Sequence, residues 1–286
     1  MSIFHQTIPG MNSAIDIVIP GIDNNVGNEL CNEIRNKTIE LEKMLNCFDS
    51  NAETFQINER AYAEQVSVSD KLFEIITECF YFNKQTAGYF DIGLRYYKTE
   101  PQHSSDGGMK SIVLNTSEKT IKFESKATAL DFGAVGKGLL LREVDKILYS
   151  YQIKNCFISF GGSSMLTRGS HPHGTNWPVT FRNDLNHNHS FSMNNHAASL
   201  SGALTEQSGA YHIINPKSLL TVQNNRIAFV QCSCPVVAEV LSTTLVIATL
   251  SEVETIVAGF KPDKAVIFNK TDNRELLIEY LYERNN

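Results

Sequence analysis

Apolar residues recur along the first half of the chain with two different periods, which predict the order of its elements. Residues 14–20 (AIDIVIP) alternate as a β-strand does, and apolar side chains follow at helical spacing over residues 25–46. A second helix is predicted within residues 67–86. Two short alternating runs within residues 110–125 surround an Asn-Thr-Ser-Glu-Lys turn, which is typical of a hairpin.

The second half of the chain mixes strands and helices without regular alternation. From Ala129 the sequence predicts a short strand, a glycine-rich turn and a helix with one apolar side. Further strands are predicted at NCFISF, near Trp177–Arg182, at RIAFVQCS and at KAVIFN, and helices at about 235–249 and 251–259. We therefore expect an α+β fold, with mixed or antiparallel sheets packed against helices. Residues 1–286 are expected to form a single domain, with two closely packed subdomains as a variant.

Composition and charge limit the classes of protein to which the chain can belong. A chain of 286 residues that is 42% hydrophobic and 20% charged can bury a substantial core. It has 25 Lys and Arg against 31 Asp and Glu, a net charge of -6, and its cations are scattered, which argues against nucleic acid as a partner. No run approaches the roughly 18 apolar residues that a membrane span needs. Because residues 1–10 lack a signal-peptide pattern, the chain is expected in the cytoplasm, or in the cell envelope if it is a processed form.

The six cysteines are spread out and mostly embedded in apolar segments, which favours reduced core thiols over a disulfide framework. Cys232 and Cys234 form a C-x-C pair, but no second pair lies at zinc-ribbon spacing. Alternation along a strand would point both of these thiols to one face. We expect their role to be structural.

The segment Asp131–Gly138 (DFGAVGKG) is the first candidate site. Its glycines allow close backbone approach, the following helix N-terminus offers unpaired N–H donors and a partial positive charge, and Lys137 adds a full charge. A phosphate group fits this arrangement best. The segment matches neither the P-loop nor the G-x-G-x-x-G pattern. An ordinary tight turn remains the alternative.

The helix CPVVAEVLSTTLVIATL is the second candidate, because Glu239 and Thr243 are four residues apart and share a helix face. Their hard oxygen atoms suit Mg²⁺. Alternatively, Glu239 is a favourable charge near a helix start and the Thr243 hydroxyl bonds back to its own helix. A third candidate, His212, lies within GAYHIINP, where a lone histidine is more often structural.

Taken in this order, the segments resemble the FAD:protein FMN transferase family (ApbE), whose members have also been called thiamine-biosynthesis lipoproteins. The resemblance spans nearly the whole chain and implies an ApbE-like α+β fold. It rests on segments that are each similar to a family motif: MLNCFDSNAETFQIN (44–58), TAGYFDIG (86–93), ALDFGAVGKG, FISFGGSSMLTRG, NWPVTFRND, SLSGALTEQSGAYHIINPKS and CPVVAEVLSTTLVIA.

The resemblance implies a role for particular residues. Asp131 and Lys137 match positions that contact FAD. The backbone carbonyl of Ala134, together with Glu239 and Thr243, matches the ligands of a Mg²⁺ ion, with substrate oxygens and water completing the shell.

The resemblance also implies a flavin site and a reaction. Phe48, Ile214 and Met11 match positions that flank the flavin, and His212 is a candidate base or flavin-positioning residue. In the implied reaction, a Thr or Ser hydroxyl of a target flavoprotein attacks the FMN-side phosphorus of FAD. A phosphoester-linked flavin forms and AMP is released.

Several positions depart from the family pattern. Glu239 and Asn215 stand where the family has Asp, Leu200 replaces Thr, Ser163 replaces Asp or Asn, and Leu219 replaces Gly. The extra methylene of Glu239 displaces its carboxylate by roughly 1.5 Å relative to Asp. These changes leave open a flavin-binding relative without catalysis, or an FAD pyrophosphatase that gives FMN and AMP. The lipoprotein signal that is usual in the family is also absent from this sequence.

Overall fold

The computed structural model describes residues 2–99, 106–182, 188–202, 213–271 and 274–282. These residues form an α+β fold, as expected from the sequence. The strands are β1 (Ile3–Gly10), β2 (Ser13–Pro20), β3 (Val66–Ser67), β4 (Ile112–Asn115), β5 (Thr120–Phe123), β6 (Cys156–Phe160), β7 (Ser164–Arg168), β8 (Trp177–Arg182), β9 (Asn188–Met193), β10 (Ala197–Gly202), β11 (Arg226–Cys232), β12 (Lys264–Thr271) and β13 (Arg274–Leu281). The helices are α1 (Asn24–Leu45), α2 (Glu53–Arg60), α3 (Asp70–Gln85), α4 (Arg95–Thr99), α5 (Gly136–Ser150), α6 (Pro235–Ile247) and α7 (Leu250–Phe260).

A large antiparallel sheet is the framework of the described residues, with strand order β1-β2-β6-β7-β10-β11-β12-β13. In β2, Ile15, Ile17 and Ile19 alternate with less buried residues, so their side chains share one face. Two smaller sheets, β3-β5-β4 and β8-β9, complete the strands.

Helices α1, α5 and α6 lie side by side against the large sheet. Helix α1 packs on β1, α5 on β7, and α6 on β10 and β11, while α5 contacts both other helices. The apolar stripe of α1 recurs at helical spacing. Asp23 caps this helix by accepting from the backbone N–H groups of Asn25 (2.9 Å) and Val26 (3.4 Å). The helix order brings the N-termini of α5 and α6 to the same region.

The β8-β9 hairpin contributes aromatic side chains to a separate apolar cluster on the large sheet. The ring of Phe191 stacks on Phe229 with centroids 3.9 Å apart, and Phe181 meets Phe268 edge to face at 5.2 Å. These contacts bury the middle of β11 and β12.

Two sequence-based expectations are wrong in detail. The strand expected at Ala129 is only an isolated parallel bridge to Leu94, because the turn that begins at Asp131 leaves too few extended residues. The C-x-C pair does not run along a strand, since β11 ends at Cys232 and Cys234 is the N-cap of α6. None of the six cysteines forms a disulfide, and five of their side chains are buried, as expected for core thiols.

None of the helices in the described part of the chain combines the length and the apolar character that a membrane crossing needs.

Candidate functional site

Helices α5 and α6 meet at Gly138. A Cβ atom on this residue would lie 2.7 Å from the carbonyl oxygen of Pro235 and 2.9 Å from the Cα of Val236. Only a residue without a side chain permits this backbone approach. The last glycine of the DFGAVGKG segment therefore sets the distance between the two helices that carry Lys137 and Glu239.

A second contact fixes the segment before α5. Asp131 donates its backbone N–H to Ile92 at 2.7 Å, next to the bridge between Ala129 and Leu94. The Asp131 carboxylate accepts from the backbone N–H of Gly133 at 2.7 Å and pairs with Lys98 at 2.7 Å. Because of this pairing, the residues around FDIG lie beside the residues around DFGAVGKG.

A cavity of about 400 Å³ opens where these segments meet, and we call it the Glu239 cavity. Its volume is within the range of small-molecule sites. Six residues selected from the sequence line it: Asp131, Ala134, Lys137, Ile214, Glu239 and Thr243. The structure thus brings together the DFGAVGKG segment and the Glu239 face of α6, which are far apart in sequence.

A smaller cavity of about 190 Å³ adjoins the first and is here called the Phe48 cavity. Met11 and Phe48 line it, and Asp131 and Lys137 line both cavities. The Met11 backbone has a left-handed φ of 48° in the turn between β1 and β2, and its N–H donates to Glu42 at 2.5 Å. Phe48 is 70% exposed, whereas phenylalanine is among the residue types that are most often fully buried.

Glu239 is buried, and both of its carboxylate oxygens have partners. Oε1 lies 3.2 Å from the ammonium of Lys137, and Oε2 accepts from the hydroxyls of Ser164 (2.6 Å) and Ser199 (3.1 Å). A buried carboxylate is tolerated when it is paired and hydrogen-bonded in this way. The longer side chain of Glu239 therefore makes defined contacts with β7 and β10.

The hydroxyl groups that follow Glu239 on α6 have different hydrogen-bond partners. Ser242 and Thr244 bond back to carbonyls of α6, at 3.1 and 2.8 Å. Thr243 instead approaches the hydroxyl of Ser201 at 3.2 Å and lines the Glu239 cavity. Of the two interpretations of Thr243, the structure therefore favours the one in which its hydroxyl is offered to the cavity.

Two residues at positions that depart from the family pattern have defined contacts. Ser163 accepts a hydrogen bond from Lys137 at 2.5 Å. Asn215 accepts from the backbone N–H of Lys217 at 2.9 Å and so closes a local turn. Leu219, in that turn, has φ of 58°, a conformation that glycine adopts at no steric cost.

Asp91 is a further acidic residue on the wall of the Glu239 cavity. Its carboxylate accepts from the backbone N–H groups of Gly93 at 2.7 Å and Met109 at 3.1 Å. Burial raises the pKa of Asp91 to about 6, against the lowering effect of those two hydrogen bonds.

Sequence reasoning missed Asp91, Arg95 and Lys98, all of which line the Glu239 cavity. The TAGYFDIG resemblance marked this region, but α4 is too short to have a recognisable period. His212 lies outside the described residues. In the described part of the chain, no three His, Cys, Asp or Glu side chains form a metal-binding group. The Mg²⁺ ligands that the family resemblance implies are one carbonyl, one carboxylate and one hydroxyl. They include a single acidic side chain, so they would not form a group of this kind.

The model of the ApbE family matches residues 11–268 of the chain. The chain belongs to the ApbE family. No curated protein matches it.

Solved structures agree with this family assignment at the level of the fold. The flavin transferase ApbE from Vibrio cholerae superposes with a TM-score of 0.82 at 18% identity, over 98% of this chain and 97% of the other. The Pseudomonas stutzeri flavinyl transferase ApbE in its apo form gives 0.83 at 16% identity, over 97% and 94% of the two chains. The ApbE protein of Thermotoga maritima gives 0.78 at 14% identity, over 99% and 97%. The chain therefore has the ApbE fold.

Proposed function

We propose that this ApbE-family chain is a flavin transferase that binds FAD across its two cavities. A Thr or Ser hydroxyl of an acceptor flavoprotein would attack the FMN-side phosphorus, and AMP would leave. Family membership and the flavin transferases among the structural neighbours support flavin transfer in general. The specific proposal rests on one observation, that six residues selected from three separate motifs line the Glu239 cavity.

The charges of the site suit a diphosphate. No side chain caps the N-terminus of α5, and Gly136 and Lys137 of its first turn line the cavities, so the partial positive charge of this helix end lies beside them. Lys137 follows within the first turn and lines both cavities. Phosphoryl transfer depends mainly on alignment and charge neutralisation, which these groups supply.

The Phe48 cavity offers a surface for an isoalloxazine ring. Phe48 presents an exposed aromatic ring, and Met11 adds a polarisable apolar side chain. Ile214 is buried and lines the neighbouring Glu239 cavity. We propose that the flavin ring contacts Phe48 and Met11, with Ile214 closing the site near the diphosphate.

The donor groups fit Mg²⁺. Ala134, Glu239 and Thr243 line one cavity. The backbone carbonyl of the first, the carboxylate of the second and the hydroxyl of the third are hard oxygens, and they would leave positions for substrate oxygens and water. Mg²⁺ held by these groups would neutralise charge on the reacting diphosphate. Lys137 competes for the same carboxylate, since its ammonium lies 3.2 Å from Glu239 Oε1. Release from this contact would let Lys137 donate to a phosphate oxygen.

The identity of the group that removes the proton from the acceptor hydroxyl stays a prediction. His212 is the candidate that the family resemblance implies, and a base must lie within hydrogen-bond reach of the proton it takes. Replacing His212 with Gln is expected to slow flavin transfer while FAD binding is retained.

The proposed function is tested by incubating the full chain with FAD, Mg²⁺ and peptides that contain Thr or Ser, followed by mass spectrometry. A flavin transferase gives peptide bearing a phosphoester-linked flavin together with AMP, and the same peptide with Ala at the acceptor position gives none. FMN and AMP without modified peptide would identify a pyrophosphatase. Quenched flavin fluorescence without AMP would identify a binding protein. Either of these two results contradicts the proposed transfer.

A further inference from the structure

Arg95 lies at the junction of the two cavities. Its backbone N–H donates to the carbonyl of Ala129 at 3.1 Å, which fixes the start of α4 beside the DFGAVGKG segment. Its side chain lines the Glu239 cavity. Its Cζ atom lies 4.7 Å from the centroid of the Phe48 ring, which lines the other cavity. The guanidinium therefore connects the walls of both cavities.

The other cations of the Glu239 cavity already have carboxylate partners. Lys98 pairs with Asp131 at 2.7 Å, and Lys137 lies 3.2 Å from Glu239. Among the residues that the structure describes, Arg95 forms no ion pair with any carboxylate. An anion that enters this cavity therefore meets Arg95 as a positive charge without a competing acidic partner.

The described contacts of the Arg95 guanidinium include no anion. It lies against the Phe48 ring and hydrogen-bonds with the Cys47 thiol, and because burial raises the pKa of that thiol, the thiol is neutral at physiological pH. The Nε atom of Arg95 is buried and has no hydrogen-bond acceptor among the described residues. A buried donor without an acceptor is uncommon unless a ligand supplies one.

We propose that Arg95 binds the diphosphate of the dinucleotide at the junction of the two cavities. This inference depends on the proposed function in one respect, the identification of the dinucleotide as FAD. The planar guanidinium can donate two parallel hydrogen bonds to phosphate oxygens while its face stays on the Phe48 ring. Arg95 thereby positions the diphosphate between the flavin surface of Phe48 and the Lys137-Glu239 pair.

The geometry distinguishes Arg95 from an ordinary surface charge. A lysine at this position would keep the charge but lose the fork and most of the ring contact. Arg95→Lys is therefore expected to bind diphosphates less tightly than the wild type and more tightly than Arg95→Met. Arg60 offers a matched control, because it lines neither cavity and forms an exposed ion pair with Glu64 at the C-terminal end of α2.

The test measures equilibrium binding of FAD, riboflavin, ADP and inorganic diphosphate by calorimetry. It compares the wild type with Arg95→Met, Arg95→Lys and Arg60→Met, and thermal unfolding of each variant checks its fold. Arg95→Met is expected to weaken FAD, ADP and inorganic diphosphate by about tenfold or more, the effect of a lost charge-assisted hydrogen bond. Riboflavin is expected to change less than twofold, and Arg60→Met is expected to match the wild type for all four ligands.

The outcomes separate this inference from the proposed function. Equal losses for FAD and riboflavin would show that Arg95 only supports the Phe48 ring and would overturn the inference. Unchanged ADP and diphosphate binding in Arg95→Met would overturn it as well. If the wild type binds ADP through Arg95 but binds neither FAD nor riboflavin, the diphosphate site stands and the flavin transferase function fails. If the wild type binds none of the four ligands, both are wrong.

Discussion

Glu239 shows how one additional methylene changes the surroundings of a single carboxylate. Its Oε2 atom reaches the hydroxyls of Ser164 and Ser199, and its Oε1 atom pairs with Lys137. These partners make a buried charge acceptable inside the fold. Because Lys137 lies 3.2 Å from Oε1, a metal ion on that oxygen would have to displace the Lys137 ammonium.

Replacing Glu239 with Asp separates these two effects. The shorter side chain withdraws from both serines, so we expect the free energy of unfolding to fall by about 1–3 kcal/mol, the cost of unpaired buried hydroxyls. Mg²⁺ affinity is expected to rise, because Asp is the residue that the family pattern has at this position. Urea unfolding and calorimetric Mg²⁺ titration measure the two quantities.

Ser164→Ala is the matched control for Glu239→Asp. It removes one hydroxyl partner without moving the carboxylate, so Mg²⁺ affinity is expected to stay near the wild-type value. Unchanged Mg²⁺ affinity in Glu239→Asp would show that the side chain at position 239 is not a ligand of the proposed metal site.

Asp91 gives a prediction about pH. Its folded-state pKa of about 6 is above the ordinary value of 3.8, so the native state binds more protons than the unfolded state between these values. Stability therefore falls as pH rises from about 4 to 6, and the Asp91 contribution amounts to about 3 kcal/mol. In Asp91→Asn this contribution is absent, so the variant is expected to lose less stability over that pH range.

The measurement for Asp91 is urea unfolding at several pH values between 4 and 7. Subtracting the variant curve from the wild-type curve cancels the other titrating groups. A difference that does not change with pH would show that Asp91 titrates at its ordinary value.

At the scale of secondary-structure elements, the contact between α5 and α6 determines the geometry of the site. The two helices carry Lys137 and Glu239, and their approach depends on Gly138, where a Cβ would meet the Pro235 carbonyl oxygen at 2.7 Å. Backbone atoms cannot move aside as a flexible side chain can.

Gly138→Ala is therefore expected to destabilise the protein by about 1–3 kcal/mol, the range for overpacking a filled interior. FAD binding is expected to weaken as well, because α5 must move away from α6. Gly136→Ala is the control within the same helix, since its Cβ would meet only the sulfur of Met11 at 3.9 Å. Because Ala favours helix over Gly, this control should be as stable as the wild type or more so. Thermal unfolding compares the two, and equal stability of both variants would contradict the close contact.

The elements also show what a sequence pattern can and cannot predict. The long helices α1, α3, α5 and α6 lie near their predicted positions, because each carries an extended apolar stripe. Strand β1 was missed. Its buried residues Phe4 and Ile8 are four apart, a spacing that does not identify a strand. Helix α4 has only five residues, and with it Arg95 and Lys98 were missed.

At the scale of the whole molecule, the site depends on pairing between distant strands. Strand β2 pairs with β6, and β7 pairs with β10, which places α5 beside α6. Periodicity along the chain carries no information on these neighbours. Family resemblance selected six of the residues that line the Glu239 cavity, but the Lys137-Glu239 pair and the Arg95-Phe48 contact could be found only in three dimensions.

The most direct test is a crystal structure of the full chain with FAD and Mg²⁺ at saturating concentrations. We predict the diphosphate within hydrogen-bond distance of Lys137 and Arg95, the metal ion on Glu239 and Thr243, and the isoalloxazine ring against Phe48. FAD bound elsewhere on the protein, with both cavities holding only solvent, would contradict the proposed site and the transfer mechanism built on it.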